Sequence, residues 1–270
     1  MHSFRRYAAI AALGFLTSTA AAVAADMPTP YIPEQPAPQY GGWYIRGYIG
    51  MTNQFYDGLE YSGFDDPAYF GWLDEGGFGS SPLYGVGFGY QLNDWFRFDV
   101  TGEYRGKAAF SALDIYDTSD NPPDFGGGAG DDWGTNHYQG FKSEWLFLAN
   151  GYVDMGNWHG FVPYIGAGIG GSRNTISDFT DTNEIQGGGG YADSASKWSL
   201  AWALHAGIGF HVTDRLIIDL GYSFTHLGDA QTGILTNLDP IIGCNNVCEP
   251  VTFKNLGSHD VKLGIRYMFN

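Results

Sequence analysis

Eight stretches between Trp43 and Phe269 alternate apolar residues with polar residues or glycine. Two-residue alternation predicts β-strands that bury one face and wet the other. The first, Trp43 to Met51, sets Trp43, Ile45 and Ile49 against Tyr44, Arg46 and Tyr48. Leu83 to Leu92 sets Tyr84, Val86, Phe88 and Tyr90 against Leu83, Gly85, Gly87 and Gly89. In Trp95 to Arg105, Phe96, Phe98, Val100 and Tyr104 oppose Arg97, Asp99, Glu103 and Arg105. Phe141 to Val153 opposes Phe141, Trp145 and Phe147 to Lys142, Glu144, Asn150 and Tyr152. Phe161 to Gly171 sets Phe161, Ile165 and Ile169 against Tyr164, Gly166, Gly168 and Gly170. Lys197 to Val212 is the most regular, with Trp198, Leu200, Trp202, Leu204, Ile208 and Phe210 on one face and His205, Gly207, Gly209 and His211 on the other. Arg215 to Thr225 opposes Leu216, Ile218, Leu220, Tyr222 and Phe224 to Asp219, Gly221 and Ser223. Asp260 to Phe269 closes the series, with Val261, Leu263, Ile265, Tyr267 and Phe269 facing away from Asp260, Lys262, Gly264 and Arg266.

The connections alternate in length. Those after the second, fourth and sixth strands are short, and those after the first, third, fifth and seventh are long, polar and Gly-rich. An even number of half-apolar strands joined in this way is the pattern of an outer-membrane barrel with short periplasmic turns. The expected fold is all-β: an eight-stranded antiparallel up-and-down transmembrane β-barrel with four long extracellular loops. A soluble barrel with the apolar faces inward fails on volume. Eight strands enclose only enough space for their side chains to fill, and Trp145, Trp198, Trp202, Phe88, Phe98, Phe147 and Phe210 would overfill it.

Before the strands, Arg5-Arg6 and the short apolar run Tyr7 to Leu16, followed by small residues, read as a secretory signal peptide. The run falls short of the roughly 20 apolar residues that a spanning helix needs. Cleavage after Ala22-Val23-Ala24 leaves Ala25-Asp26 at the new N-terminus, and cleavage after Ala25 leaves Asp26. The first is favoured because alanine fits both small pockets. Prolines 28, 30, 33, 36 and 38 make Met27 to Gln39 an extended spacer rather than a helix or central strand. The expected organisation is a signal peptide over 1–24, a Pro-rich periplasmic segment over 25–41 and the barrel over 42–270.

The formal charge of −16 becomes −18 when Arg5 and Arg6 leave with the signal peptide, which carries no acid. Such acidity argues against nucleic acid as a partner. Cys244 and Cys248, in C-N-N-V-C, are expected to form a disulfide in the oxidising compartment that export implies. They lack a second ligand pair at zinc-like spacing.

G-W-Y-I-R-G-Y-I-G at Gly42 to Gly50, P-Y-I-G-A-G-I-G at Pro163 to Gly170 and L-G-I-R-Y-M-F at Leu263 to Phe269 resemble the small outer-membrane barrels of alphaproteobacteria, within the opacity-protein and OmpA-like barrel superfamily. The resemblance implies that Lys262, Gly264, Tyr267 and Phe269 form the final-strand signal read by the barrel-assembly machinery. Asn270 departs from the usual aromatic ending. The peptidoglycan-binding module of longer relatives is not expected after the barrel. Some such barrels are joined to peptidoglycan through a mature Ala-Asp terminus. Ala25 and Asp26 match that arrangement, with Met27 to Gln39 as the tether.

The inward faces bring Arg46, Arg97, Asp99, Glu103, Arg105, Lys142, Glu144, Asp219, Asp260, Lys262 and Arg266 together. Near-balanced charge in so narrow a barrel implies paired charges plugging the lumen, with a narrow water path along the glycine rows as the porin-like alternative. The loop acids, among them Asp57, Glu60, Asp74, Glu75, Asp114 and Asp117, read as solvated. D-T-S-D-N-P-P-D at Asp117 to Asp124 fails the calcium-loop pattern because Pro122 stands where the turn glycine belongs and no glutamate closes it. His137, His159, His226 and His259 fall at loops or strand ends without a nucleophile arrangement, and Gly187 to Gly190 lacks the Lys-Ser/Thr of a phosphate loop. The expected function is structural: a cofactor-free, non-enzymatic barrel that stabilises the envelope and displays acidic loops. Its expected partners are outer-membrane lipid, lipopolysaccharide and peptidoglycan. A lipid A-modifying enzyme ranks after the channel.

Overall fold

The computed structural model describes residues 41–64, 71–117, 133–183, 185, 187–238 and 249–269. The expected signal peptide, the Pro-rich segment with Ala25 and Asp26, and the Cys244–Cys248 pair lie outside these residues. Twelve strands are found among the described residues, in chain order: β1 (Gly42–Phe55), β2 (Gly58–Glu60), β3 (Gly71–Phe78), β4 (Ser81–Asn93), β5 (Phe96–Asp117), β6 (Trp133–Gly134), β7 (Asn136–Asp154), β8 (Phe161–Asn183), β9 (Gly189–Ala192), β10 (Ala195–His211), β11 (Leu216–Asn237) and β12 (Pro250–Met268).

Eight of them, each longer than ten residues, close on themselves. β1 pairs with β4, β4 with β5, β5 with β7, β7 with β8, β8 with β10, β10 with β11, β11 with β12 and β12 with β1, every pair antiparallel. This is the eight-stranded up-and-down barrel that the alternation predicts, with no edge left open in its ring. At one end β4–β5, β7–β8 and β10–β11 are joined by the short connections 94–95, 155–160 and 212–215. The other end carries the long connections and four short strands. There β2 adds to β12, β3 and β6 add to β5, and β9 bridges β8 and β11.

From the short-turn end upward through the lower part of the barrel the outward side chains are large and apolar. Trp43, Phe88, Phe98, Phe147, Trp198, Leu200, Leu220 and Leu263 are all exposed. A continuous band of this kind is far larger than the apolar patches that soluble proteins carry, so its solvent is lipid. The inward positions hold the polar residues: Arg97 and Arg105 are the largest fully buried side chains, and Lys142 is also fully buried.

The pattern then inverts. β5, β7, β8, β11 and β12 run far past the lipid band, and there the inward residues are apolar: Phe78, Phe110, Tyr138, Ile176, Phe179, Phe253 and Leu256 form one buried cluster. Bulges mark the change. The β5–β7 register slips between Arg105 and Ala108, and the β11–β12 register slips at His226 to Ala230. Asp178 and Asn255 take positive φ values of 53° and 49°. An extra residue in a strand sends the following side chains to the opposite face. Inward positions on β5 therefore pass from Arg97, Glu103 and Arg105 to Ala108, Phe110 and Ala112.

This corrects the reading of the long connections. Glu60 lies in β2, Asp74 and Glu75 in β3, and Asp114 and Asp117 in β5. Asp114 is not solvated: it is 1% exposed.

Candidate functional site

Strand alternation delivers side chains from all eight long strands to one lumen, where they stack in tiers. The floor, at the short-turn end, is closed by Tyr44, Ile217 and Met268. Above it, Arg97 Nε donates to Asp154 Oδ1 at 3.0 Å, and its guanidinium carbon lies 4.1 Å and 4.6 Å from the ring centres of Tyr152 and Tyr164. Arg266 Nη2 meets Asp219 Oδ1 at 3.2 Å.

The middle tier is built around Asp99. Its carboxylate accepts from Arg46 Nη1 at 3.1 Å, Tyr44 OH at 3.1 Å and Asn150 Nδ2 at 2.8 Å. Because the Asn150 amide donates to Asp99, its Oδ1 accepts from His205 Nε2 at 3.1 Å. That tautomer leaves His205 Nδ1 to accept from Ser223 Oγ at 2.8 Å. The adjacent void measures about 20 Å³, enough for about one water. Ser223 and His205 line this void with Arg46 and Lys262.

The upper tier centres on Arg105, which contacts Glu103 Oε1 at 2.6 Å, Glu144 Oε1 at 3.0 Å and Asp260 Oδ2 at 2.6 Å. Lys142 binds Glu144 and donates to Gln54 Oε1 at 2.7 Å. Lys262 Nζ reaches Glu103 Oε2 at 2.7 Å. Three cations face three carboxylates, so the burial of charge is locally compensated. Breaking one such pair leaves an uncompensated buried charge, which costs far more than forming the pair gains.

Over this tier sits the apolar cluster. The Phe110 and Phe253 rings lie 4.9 Å apart edge to face, and Phe78 is 5.3 Å from both. Tyr56 caps the three at 5.6 to 5.9 Å. Farther out, Asp114 accepts from Tyr138 OH at 2.8 Å and from the Asn136 backbone N–H at 2.7 Å. Burial raises the Asp114 carboxyl above the usual carboxylate range. Burial, with the neighbouring Asp114 second, pushes Asp181 up to about 7.

Tyrosine rings stand against several of the inward glycines. A Cβ on Gly85 would lie 2.2 Å from the Tyr48 ring, one on Gly89 2.4 Å from Tyr44, and one on Gly166 2.4 Å from Tyr152. The rows are sockets for tyrosines that project across the lumen from neighbouring strands.

The structure places Arg46, Arg97, Asp99, Glu103, Arg105, Lys142, Glu144, Asp219, Asp260, Lys262 and Arg266 in this one network. Sequence reading missed Asp154, the partner of Arg97, although it continues the inward parity of Asn150 and Tyr152 on β7. It also missed the Ser223–His205–Asn150–Asp99 chain, whose members lie on four strands. The other histidines stay apart: His137 meets Ser111 at 3.0 Å, His259 meets Tyr222 at 2.6 Å, His226 stacks on Trp202, and His159 lies in a short turn. Of the final-strand residues, Lys262 and Gly264 face inward, while Tyr267 and Phe269 are exposed beside the short turns.

An uncharacterized protein of Brucella abortus is 29% identical over 98% of this chain and 99% of its own length. The outer membrane protein PagN of Salmonella typhimurium is 32% identical over 46% of this chain and 48% of its own. The crystal structure of Neisserial surface protein A aligns with 84% of this chain and 97% of that one, at 16% identity and a TM-score of 0.40. Residues 8–269 match the family model of the outer membrane protein beta-barrel domain. The chain belongs to that family and is a protein of the bacterial outer membrane.

Proposed function

We propose that this is a non-enzymatic structural barrel that stabilises the outer membrane and is closed to solutes. Its short-turn end faces the periplasm and its long-loop end faces outward, as the connection lengths favour. The observation that carries the reading is the lumen itself, occupied among the described residues by an apolar floor, a paired-charge network and an aromatic cluster. The only opening described between the charge tiers holds about one water. Family membership supports an outer-membrane role of this generic kind.

Three further assignments complete the proposal. Tyr267 and Phe269, with Lys262 and Gly264, form the address read during barrel assembly. The Ala25 amine, exposed by signal-peptide cleavage, is the attachment point for peptidoglycan, and Met27 to Gln39 is the tether. Cys244 and Cys248 form a disulfide.

Purified, folded protein in planar lipid bilayers tests the central reading. A closed barrel gives no discrete current steps, and reproducible single-channel steps would overturn it in favour of a narrow diffusion channel.

A further inference from the structure

Cations on the outside of this protein are few, and most have carboxylate partners. Lys107 pairs with Asp178 at 2.8 Å, and Lys197 and Lys254 share Asp229 at 3.5 and 3.1 Å. Arg173 differs. It is exposed on the outer face of β8 and has no carboxylate partner among the described residues, in a chain of net charge −16.

Its neighbours are aromatic. In the β7–β8 register Arg173 stands opposite Trp145, and in the β8–β10 register it stands opposite Trp198. One step farther from the short-turn end, Thr175 and Ser196 face outward with their hydroxyls 2.9 Å apart. One step nearer lies Gly171, where a Cβ would meet the Trp198 ring at 3.7 Å. The glycine sets no side chain beside that ring, within the apolar band.

Depth places this constellation at an interface. Arg173 is twelve residues beyond Phe161, at the foot of β8. At about 3.4 Å per residue and a tilt near 40°, that is roughly 30 Å of height. The apolar band of such barrels is about 25 Å tall. The guanidinium therefore lies at headgroup level, on the long-loop side, with tryptophans of the interfacial belt on both flanks.

We propose that this face of β8 binds the phosphate of a phosphorylated glycolipid in the outer leaflet. Arg173 supplies planar charge-assisted donors to the phosphate. Thr175 and Ser196 supply hydroxyls, and the bare backbone at Gly171 beside the Trp198 ring takes the first part of an acyl chain. The leaflet rests on the orientation proposed above; the recognition of lipid-borne phosphate does not.

The test uses the folded full-length protein in phosphatidylcholine nanodiscs doped with diphosphoryl lipid A or with its dephosphorylated form, and reads retained lipid by native mass spectrometry. Wild type is expected to retain the diphosphoryl form about tenfold better, and Arg173→Gln to lose that preference. Arg215→Gln, an exposed arginine at the short-turn end, is expected to keep it. Equal retention of both lipids by wild type, or an unchanged preference in Arg173→Gln, overturns the site. Full displacement by millimolar inorganic phosphate also overturns it, because the site would then recognise a free ion. A separate arm labels an Asp193→Cys variant on intact cells. Failure to label from outside would reverse the orientation while leaving the nanodisc result standing.

Discussion

Replacing Arg105 by methionine keeps an unbranched apolar side chain while removing one positive charge and the donors that reach three strands. The upper tier holds Arg105, Lys142 and Lys262 against Glu103, Glu144 and Asp260, a formal balance of zero that becomes −1 in the variant. Glu144 keeps Lys142, and Glu103 keeps Lys262 at 2.7 Å. Asp260 is left with the long 3.8 Å approach of Lys262 and the Thr225 hydroxyl at 3.1 Å, and its Oδ1 already has no partner. An orphaned buried charge of this kind costs about 3 to 5 kcal/mol. The assay is urea unfolding of the barrel folded into phospholipid vesicles, followed by tryptophan fluorescence. Arg105→Met combined with Asp260→Asn restores neutrality and should recover at least half of the loss. A single variant within about 1 kcal/mol of wild type, or a double variant no better than the single, would refute the view that these charges hold each other in the lumen.

The long-loop end should respond to pH. The folded Asp181 carboxyl titrates near 7, above its unfolded value, so its contribution is greatest at low pH, declines as pH rises from about 4 to 7, and is flat beyond. Protease resistance of this end should therefore be higher at pH 5 than at pH 8, and Asp181→Asn should flatten the dependence; an unchanged profile in the variant would contradict the assignment. Gly85→Ala pushes a methyl against the Tyr48 ring and should cost about 1 to 3 kcal/mol by overfilling. Gly47→Ala, with no neighbour closer than 4.0 Å, should be nearly neutral in the same unfolding assay, and equal costs for the two would refute the socket reading.

The eight staves and their lipid-facing sides were legible because two-residue alternation is strict wherever lipid lies on one side and polar groups on the other. The reading of β5 stopped at Arg105, where the bulge before Ala108 breaks the period. The reading of β11 stopped at Thr225, next to the slip at His226. β8 continued to Asn183 unnoticed because beyond Gly171 its outward residues become Arg173, Thr175 and Ser177, the composition of a loop. The inward charges could be named from parity, but not their pairing. Arg105 and Asp260 are 155 residues apart, and only strand order brings them together. Tyr48 and Gly85 show the same limit: alternation puts both inside, while their cross-strand contact makes one fill the space of the other.

The bulges divide the barrel into two zones with opposite rules of substitution. Below them, an apolar replacement is tolerated outside and a polar one inside; above them, the preference is exchanged. A sequence drifting under selection for surface change can vary the outer residues of the upper zone, such as Ser177 or Thr182, without touching the lipid contact that anchors the protein. A single-residue deletion at Ala109, just past the bulge, would be far more damaging than most substitutions on that strand. It would carry one zone's rule into the other, turning Phe110 and Ala112 to water and aiming the polar wall at the aromatic cluster.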